Sequence, residues 1–486
     1  MSARISQQES QYSKNTVQKT EADGQRHGPA SARVVLFVQR YGDAIIGAFY
    51  VAFTGLVFGY DIGTVGAFFS LDQFQAKFGD STDSSGITRR FQETTQGLLV
   101  GVSCFGAVFG GLFLSRLADI IGRRPTLSVA MGSYALGDLI ALISGHWAQL
   151  VVGRCFNGLA IGCLSVVTPM LISEFSPVEI RGGLVSVQQL MTTLGIVIGA
   201  FTVLMCSRFQ SSLQYQAILI VGTIISIGVS GVVFLAPETM NSNNETEETE
   251  LQNLAQGQED DAEKAKNENI FNGQPKSFQR LMVGISIASL QQLTGINYFF
   301  FYGTYLFQRA GVENPFLTAI ILSLMNLVFS VLSVLICERL PRKQLLMLGS
   351  AGMMISMLLF STIGTFLLGV SQQKITGYLM IFFTCLFIAI FALTWGPISG
   401  VVLSEMFSKK FKTQSMSIAG ATSWFANFGV SFLTPVITRY IGFLYGLVFV
   451  FFLLISIPVV YFWLPETRNK STEEIDRMYQ TRSIFS

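Results

Sequence analysis

Twelve apolar runs, each close to the length that crosses a bilayer, constrain this chain more than any other feature. They lie near residues 43–70, 95–118, 125–145, 148–173, 182–206 and 214–236, then near 278–309, 315–337, 343–370, 374–407, 412–440 and 442–464. A hydrocarbon core takes about 20 apolar residues of helix, and a helix satisfies its own backbone where no water can. The expected fold is an all-α polytopic membrane protein in two six-helix halves, residues 43–236 and 278–464. The remaining segments are expected to be a disordered N-terminal tail over 1–42, a solvated acidic linker over 237–277 and a short C-terminal tail over 465–486.

Composition removes several function classes. Half of the 486 residues are hydrophobic and 13% are charged, against about 25% charged in soluble domains, and the mean hydropathy is +0.50. A net charge of +2 with no basic patch gives a nucleic acid nothing to bind. The only histidines are His27 and His146, too few for a histidine metal site or a buried histidine base, so neither cofactor nor metal is expected. Cys104, Cys155, Cys163, Cys206, Cys337 and Cys385 all fall in or beside apolar runs and read as small, reduced core residues. The polar start lacks the apolar core of a signal peptide, so insertion is expected to begin at an internal segment.

Loop charge gives an orientation. With alternating spans, Arg116, Arg123, Arg124, Arg181, Arg339, Arg342, Lys343, Lys409, Lys410 and Lys412 share one side, which the positive-inside rule makes cytoplasmic. Lys77, Arg89 and Arg90 run against that trend. Both termini then face the cytoplasm, as do the sequons at Asn244 and Asn469, where glycosylation is not expected.

The halves echo each other on that side. RLADIIGRR at residues 116–124 is matched by ERLPRK at 338–343, Ser173-Glu174-Phe175 by Ser404-Glu405-Met406, and Pro237-Glu238-Thr239 by Pro465-Glu466-Thr467. Three motifs recurring in order mark a duplicated six-helix unit, of the kind transporters rock about a central site.

Polar residues inside the runs need partners that hydrocarbon does not supply. Gln291-Gln292-Leu293-Thr294-Gly295-Ile296-Asn297 sets three amides in one span. On an ideal helix Gln292 and Asn297 diverge by roughly 140°, with Gly295 between them as a loosening point. The cluster reads either as glue between helices or as a site for a solute rich in hydroxyls, such as a sugar. Gln189, Asn326 and the pair Trp424 and Asn427 lie at similar depth, and Trp395, Phe58 and Tyr302 offer rings on which a sugar could stack. Asp61 in the first run and Arg154 in the fourth are matched charges; such a carboxylate costs roughly 2.5 to 3.5 kcal/mol at a helix centre. They read equally as a static pair and as a link between proton binding and helix movement.

Together FGYDIGTVGA at 58–67, LADIIGRRP, GRCFNGLAIG, PMLISEFSPVEIRGGLVSVQQL, QQLTGINYFFFYGT, TWGPISGVVLSEMFS and PETRNKSTEEID resemble the sugar porter family of the major facilitator superfamily, fungal hexose transporters above all. The resemblance spans about 43–475. It implies a twelve-helix alternating-access carrier for monosaccharides, working by facilitated diffusion or proton symport, with sugar, protons and lipid as its partners. The family's sugar-contacting positions fall on Gln189, Gln291, Gln292, Asn297, Asn326, Trp424 and Asn427, and its proton-coupling pair on Asp61 and Arg154. Its cytoplasmic gate falls on Asp119, Arg123, Arg124, Glu174, Arg181, Glu238, Arg342, Glu405 and Glu466.

The chain departs from the family at Ser115 and Pro341, where glycines are usual, at Met240, which replaces part of the usual PESPR, at the Phe301-Tyr302 pair and at Gly400. A polyol carrier and a non-transporting sugar sensor are the alternatives. A multispan enzyme would need more buried acid and base than the single obvious carboxylate Asp61.

Overall fold

The computed structural model describes residues 30–82, 89–177, 179–235, 270, 276–309, 315–367 and 373–481. Compact packing divides the chain into residues 1–46 and 47–486. In the first unit the described chain is the opening of α1 (Ala30–Ala52). Residues 30–42, expected in a disordered tail, are therefore already helical; Val34-Val35-Leu36-Phe37-Val38 gives that stretch an apolar run of its own.

The second unit is a helix bundle. Its elements are α2 (Thr54–Phe68), α3 (Asp72–Phe78), α4 (Glu93–Leu112), the short α5 (Leu117–Ile120), α6 (Arg123–Leu142), α7 (Trp147–Phe175), α8 (Arg181–Cys206) and α9 (Leu213–Val233). Then come α10 (Ser277–Leu293), α11 (Ile296–Arg309), α12 (Pro315–Ile336), α13 (Arg342–Phe366), α14 (Gln373–Leu393), α15 (Trp395–Met406), α16 (Lys412–Ile441), α17 (Gly446–Trp463) and α18 (Thr472–Thr481). The only sheet among the described residues is a ladder between β1 (Ser81–Thr82) and β2 (Arg89–Arg90). Ten stretches are long and apolar enough to span a membrane, and one of them, Lys412–Trp463, contains two helices, α16 and α17. α10 and α11, 17 and 14 residues long, are too short singly but form one broken span. The described residues thus hold twelve spans in two sets of six.

Helices inside a half approach until backbones touch. Gly55, Gly59 and Gly63 repeat every four residues on one face of α2, and a Cβ on each would stand 2.7, 1.8 and 2.5 Å from a carbonyl oxygen of α8. Small residues at that spacing let helices pack tightly where lipid gives no hydrophobic drive to association. The halves meet along α4 with α16 and α8 with α12.

Two features lie outside the spans. Within the short C-terminal tail, Thr472–Thr481 forms a docked helix, α18, with Ile475 and Tyr479 buried. Asp476 pairs with the buried Arg280 at 2.6 Å, and the Arg280 guanidinium lies 4.4 Å from the Tyr479 ring centre. The amphipathic spacing of Ile475 and Tyr479, four apart, supplies the apolar face that docks. At the other end of the bundle, Lys77 on α3 donates to Ser144 O at 2.8 Å and Tyr215 Oη at 2.9 Å. It thus neutralises the carbonyl end of α6, which explains a cation on the side where few are expected.

Gly59→Val should cost more than about 3 kcal/mol, since backbone cannot yield to overpacking, whereas Gly231→Ala, whose Cβ meets nothing within 4 Å, should stay within about 0.5 kcal/mol. Thermal unfolding of both variants in detergent checks this.

A candidate solute cavity and its gate

The break between α10 and α11 builds the centre of the site. Gly295 adopts φ +92°, a left-handed conformation that costs glycine nothing. The turn there swings Asn297 back over Gln292, two side chains that an unbroken helix would point apart. Asn297 Nδ2 donates to Gln292 Oε1 at 2.9 Å and to Asn427 Oδ1 at 2.8 Å. Gln291 Nε2 reaches the start of α15, donating to Trp395 O at 3.2 Å and Gly396 O at 3.3 Å. Two broken spans are thereby tied together by one amide.

These groups open onto a cavity of about 190 Å³ between the halves. Gln189, Gln291, Gln292, Asn297, Asn326, Trp424 and Asn427 all line it. Trp424 stands edge-on to Phe58 at 5.4 Å and donates from Nε1 to Ser165 Oγ of the other half at 2.9 Å. Asn326 is buried and its Oδ1 has no hydrogen-bond partner among the described residues. A buried acceptor left open is costly, so a solute hydroxyl that donates to it gains the bond without displacing another. Two expected rings lie elsewhere. Trp395 is fully buried behind the wall, donating to Leu346 O and Ser350 Oγ, and Tyr302 donates to Ser431 O.

Asp61 also lines the cavity. Arg154 holds it with two bonds, Nη1 to Oδ1 at 2.5 Å and Nη2 to Oδ2 at 3.2 Å, and Nη2 also donates to Ser103 Oγ at 3.0 Å. A fork of this kind discharges most of the cost of burying either charge. Among the described residues no group of His, Cys, Asp and Glu could hold a metal ion.

At the end of the bundle rich in Arg and Lys, the expected gate residues separate into two clusters. In the first half Arg123 pairs with Asp119 at 2.6 Å and Glu174 at 3.2 Å. In the second, Arg342 lies 3.5 Å from both Glu338 and Glu405. Glu466 accepts from the backbone N–H groups of Arg342 and Lys343, capping α13, and Thr467 donates to Glu405 at 2.6 Å. Arg124 has no ion pair among the described residues, where Arg181 bonds only to Ser176 O at 3.4 Å, and Glu238 lies outside the described residues.

Bonds between the halves come mostly from other groups, with Asp119 the one expected gate residue among them. Gly183 N donates to Glu338 Oε1 at 2.6 Å, Lys412 Nζ to Ser173 Oγ at 2.6 Å and Thr413 Oγ1 to Asp119 Oδ1 at 3.3 Å. Ser115, standing where glycine is usual, bonds Ser417 of the other half at 2.9 Å.

The family profile described as "Sugar (and other) transporter" matches residues 47–479. This chain belongs to that sugar transporter family. It is 36% identical over 459 residues to the low-affinity glucose transporter HXT1 of Saccharomyces cerevisiae, covering 88% of this chain and 80% of that one. The same yeast's galactose transporter is 34% identical over 460 residues, covering 88% and 80%. Its fold matches the proton:xylose symporter XylE bound to 6-bromo-6-deoxy-D-glucose, with a TM-score of 0.71 at 20% identity over 90% of this chain and 99% of the other. An inward-open form of XylE from E. coli matches with a TM-score of 0.67 at 22% identity, over 89% and 98%.

In this member of the sugar transporter family, sequence reasoning overlooked Glu338, Gln188 and Asp138. Glu338 precedes Arg342 by four residues as Asp119 precedes Arg123, so the internal repeat already marked it. Gln188, beside Gln189, lines the cavity as well. Asp138 is a second buried carboxyl, 2% exposed, and the single Asp in an apolar run was the signal for it.

Gly182 is needed at the Arg-rich end because a Cβ there would stand 2.5 Å from Arg342 Nη2 and 2.8 Å from Glu338 Oε1. Gly182→Val should loosen this end by about 1 kcal/mol, roughly a fivefold shift in population. Cys337, buried against Ser186 at 3.6 Å, is the reporter: its labelling by a maleimide should speed up by that factor in a background with no other cysteine.

Proposed function

We propose that this chain carries a monosaccharide, a hexose such as glucose, across the plasma membrane by alternating exposure of the one cavity to the two faces. The observation that carries the reading is the convergence of amides from both halves on a space of about 190 Å³. Amides both donate and accept, as sugar hydroxyls do, and the rings of Trp424 and Phe58 at one wall suit the C–H face of a pyranose. The yeast relatives named as glucose and galactose transporters support the same class. Gln189, Gln291, Gln292, Asn297, Asn326, Trp424 and Asn427 are the proposed sugar contacts.

The Arg-rich end is the proposed cytoplasmic face, with both termini on that side. Arg123 and Arg342 act there as hubs of the cytoplasmic gate, joined by Asp119, Glu174, Glu405 and Glu466, while Arg124, Arg181 and Glu238 complete the proposed set. Binding of a sugar that bonds Gln189 of the first half and the amides of the second would draw the halves together around the cavity. That closure favours release of the weaker polar bonds at the opposite end, the differential affinity that any coupled change requires.

Proton symport is favoured over simple facilitation by one observation, that Asp61 faces the cavity while paired with Arg154. Protonation of Asp61 would dissolve the pair and free α7 from α2.

Labelled glucose uptake in yeast lacking its own hexose transporters tests both readings. Uptake is expected to appear with this chain, to fall with a protonophore and to fall in Asp61→Asn. Uptake that survives both treatments rejects coupling, and the absence of hexose uptake from a correctly delivered protein rejects the carrier; competition by a polyol would move the substrate class to open chains. Gln291→Ala should lower uptake at least about tenfold, the effect of losing roughly 1.4 kcal/mol of hydrogen bonding, without altering delivery to the membrane.

A further inference from the structure

One turn beyond Arg154 on α7, Asn157 faces Asp138 of α6. Asn157 Nδ2 donates to Asp138 Oδ1 at 2.8 Å, and both residues are 2% exposed. The helices cross here at Gly137 and Gly153, where a Cβ on either would stand 2.6 Å from the other's carbonyl oxygen. That contact seals the carboxyl from water. The ionisable groups around it are Tyr60 and Asp61 from α2, Tyr134 one turn back on α6 and Arg154 from α7. α9 presents the backbone of Gly222 to Oδ2, and its only ionisable residue is Tyr215. Cys104 of α4 lies beside the Asp61–Arg154 pair.

Three buried polar atoms in this cluster have no hydrogen-bond partner among the described residues: Asp138 Oδ2, Asn157 Oδ1 and Arg154 Nε. An ionised Asp138 would leave Oδ2 as a bare anion in hydrocarbon while Arg154 spends its fork on Asp61, which is strongly disfavoured. A single proton on Oδ2 removes the charge while Oδ1 keeps the bond it accepts from Asn157 Nδ2.

We propose that Asp138 is a second protonatable carboxyl of this carrier, neutral while Asp61 holds Arg154, and that the guanidinium passes to Asp138 when Asp61 takes a proton. In that exchange the O–H bond of Asp138 breaks and an O–H bond forms on Asp61. The Tyr134 hydroxyl lies 3.5 Å from Asp61 Oδ1, and Arg154 stays charged throughout. The cluster holds one carboxylate, one guanidinium and one neutral acid before and after, so neither charge is stranded. The protonation state stands by itself; its part in transport rests on the carrier reading above.

Infrared spectroscopy of the purified full chain in lipid tests the first part. At neutral pH the wild type should show a C=O stretch of a protonated buried carboxyl that Asp138→Asn removes, that Asp61→Asn also removes because Arg154 then passes to an ionised Asp138, and that Asn157→Leu shifts by removing the amide partner. A wild-type spectrum without the band, or a band that survives Asp138→Asn, overturns the assignment. Because Asn157→Leu reads the same group without altering it, a poorly folding Asp138→Asn does not block the test.

In proteoliposomes, sugar counterflow needs no net proton movement, so its absence from the wild type rejects the carrier reading and, with it, the exchange, while the band still decides protonation. Where counterflow occurs, Asp138→Asn should move the pH of half-maximal uptake at least about one unit towards acid, because protonating Asp61 then strands Arg154. An unshifted or pH-independent profile overturns the exchange.

Discussion

Hydrocarbon forms no hydrogen bonds, and nearly every polar feature of this molecule follows from that constraint. Most buried hydroxyls solve it locally: Thr192, Ser323, Thr384 and Thr434 each donate to the carbonyl four residues back in their own helix. Such residues need nothing from neighbours and carry no positional information. The side chains that cannot solve it locally are the long amides, the carboxylates and the guanidinium groups. They gather in three places, the central cavity, the cluster around Arg154 and the Arg-rich end.

The two kinds of helix contact differ in what they allow. Within the first half, α2 and α8 meet glycine to carbonyl with no room for a Cβ, so that half is stiff and one-piece, as close packing requires. Between the halves at the gate the contacts are single polar bonds through side-chain tips, such as Lys412 to Ser173 and Glu338 to Gly183. Bonds of that type are each worth about 1 kcal/mol net and are replaceable by water. Elsewhere the halves also meet at backbone, where a Cβ on Gly66 or Gly97 would stand 2.5 Å from Phe301 O or Phe432 O, so the exchangeable bonds are a property of the Arg-rich end.

Legibility in the sequence followed the range of the information. The spans were readable because apolar length is a local property, and the C-terminal docked helix was missed because its apolar face is only two residues, Ile475 and Tyr479, in a charged segment. Gln189, Asn326 and Asn427 were readable as site candidates since an amide in an apolar run is conspicuous wherever its partner lies. Glu338 was hidden by lying in a loop motif full of charge, although its spacing to Arg342 repeats that of Asp119 to Arg123. Asp138 was overlooked because its partner, Asn157, is an ordinary residue on a different helix.

By itself the sequence determined the twelve spans, the duplication, the family and the cast of buried polar residues, because those depend on residue type, spacing and order along the chain. Only the tertiary structure decided which of them share a space. Gln292 and Asn297 point apart on any regular helix and meet because Gly295 turns the chain. Trp395 and Tyr302, plausible as cavity rings, are committed to the backbone of neighbouring helices. Whether a carboxyl in a membrane is matched by a charge or only by an amide is a question of packing between helices, and Asp61 and Asp138 received different answers although both are single acids in apolar runs.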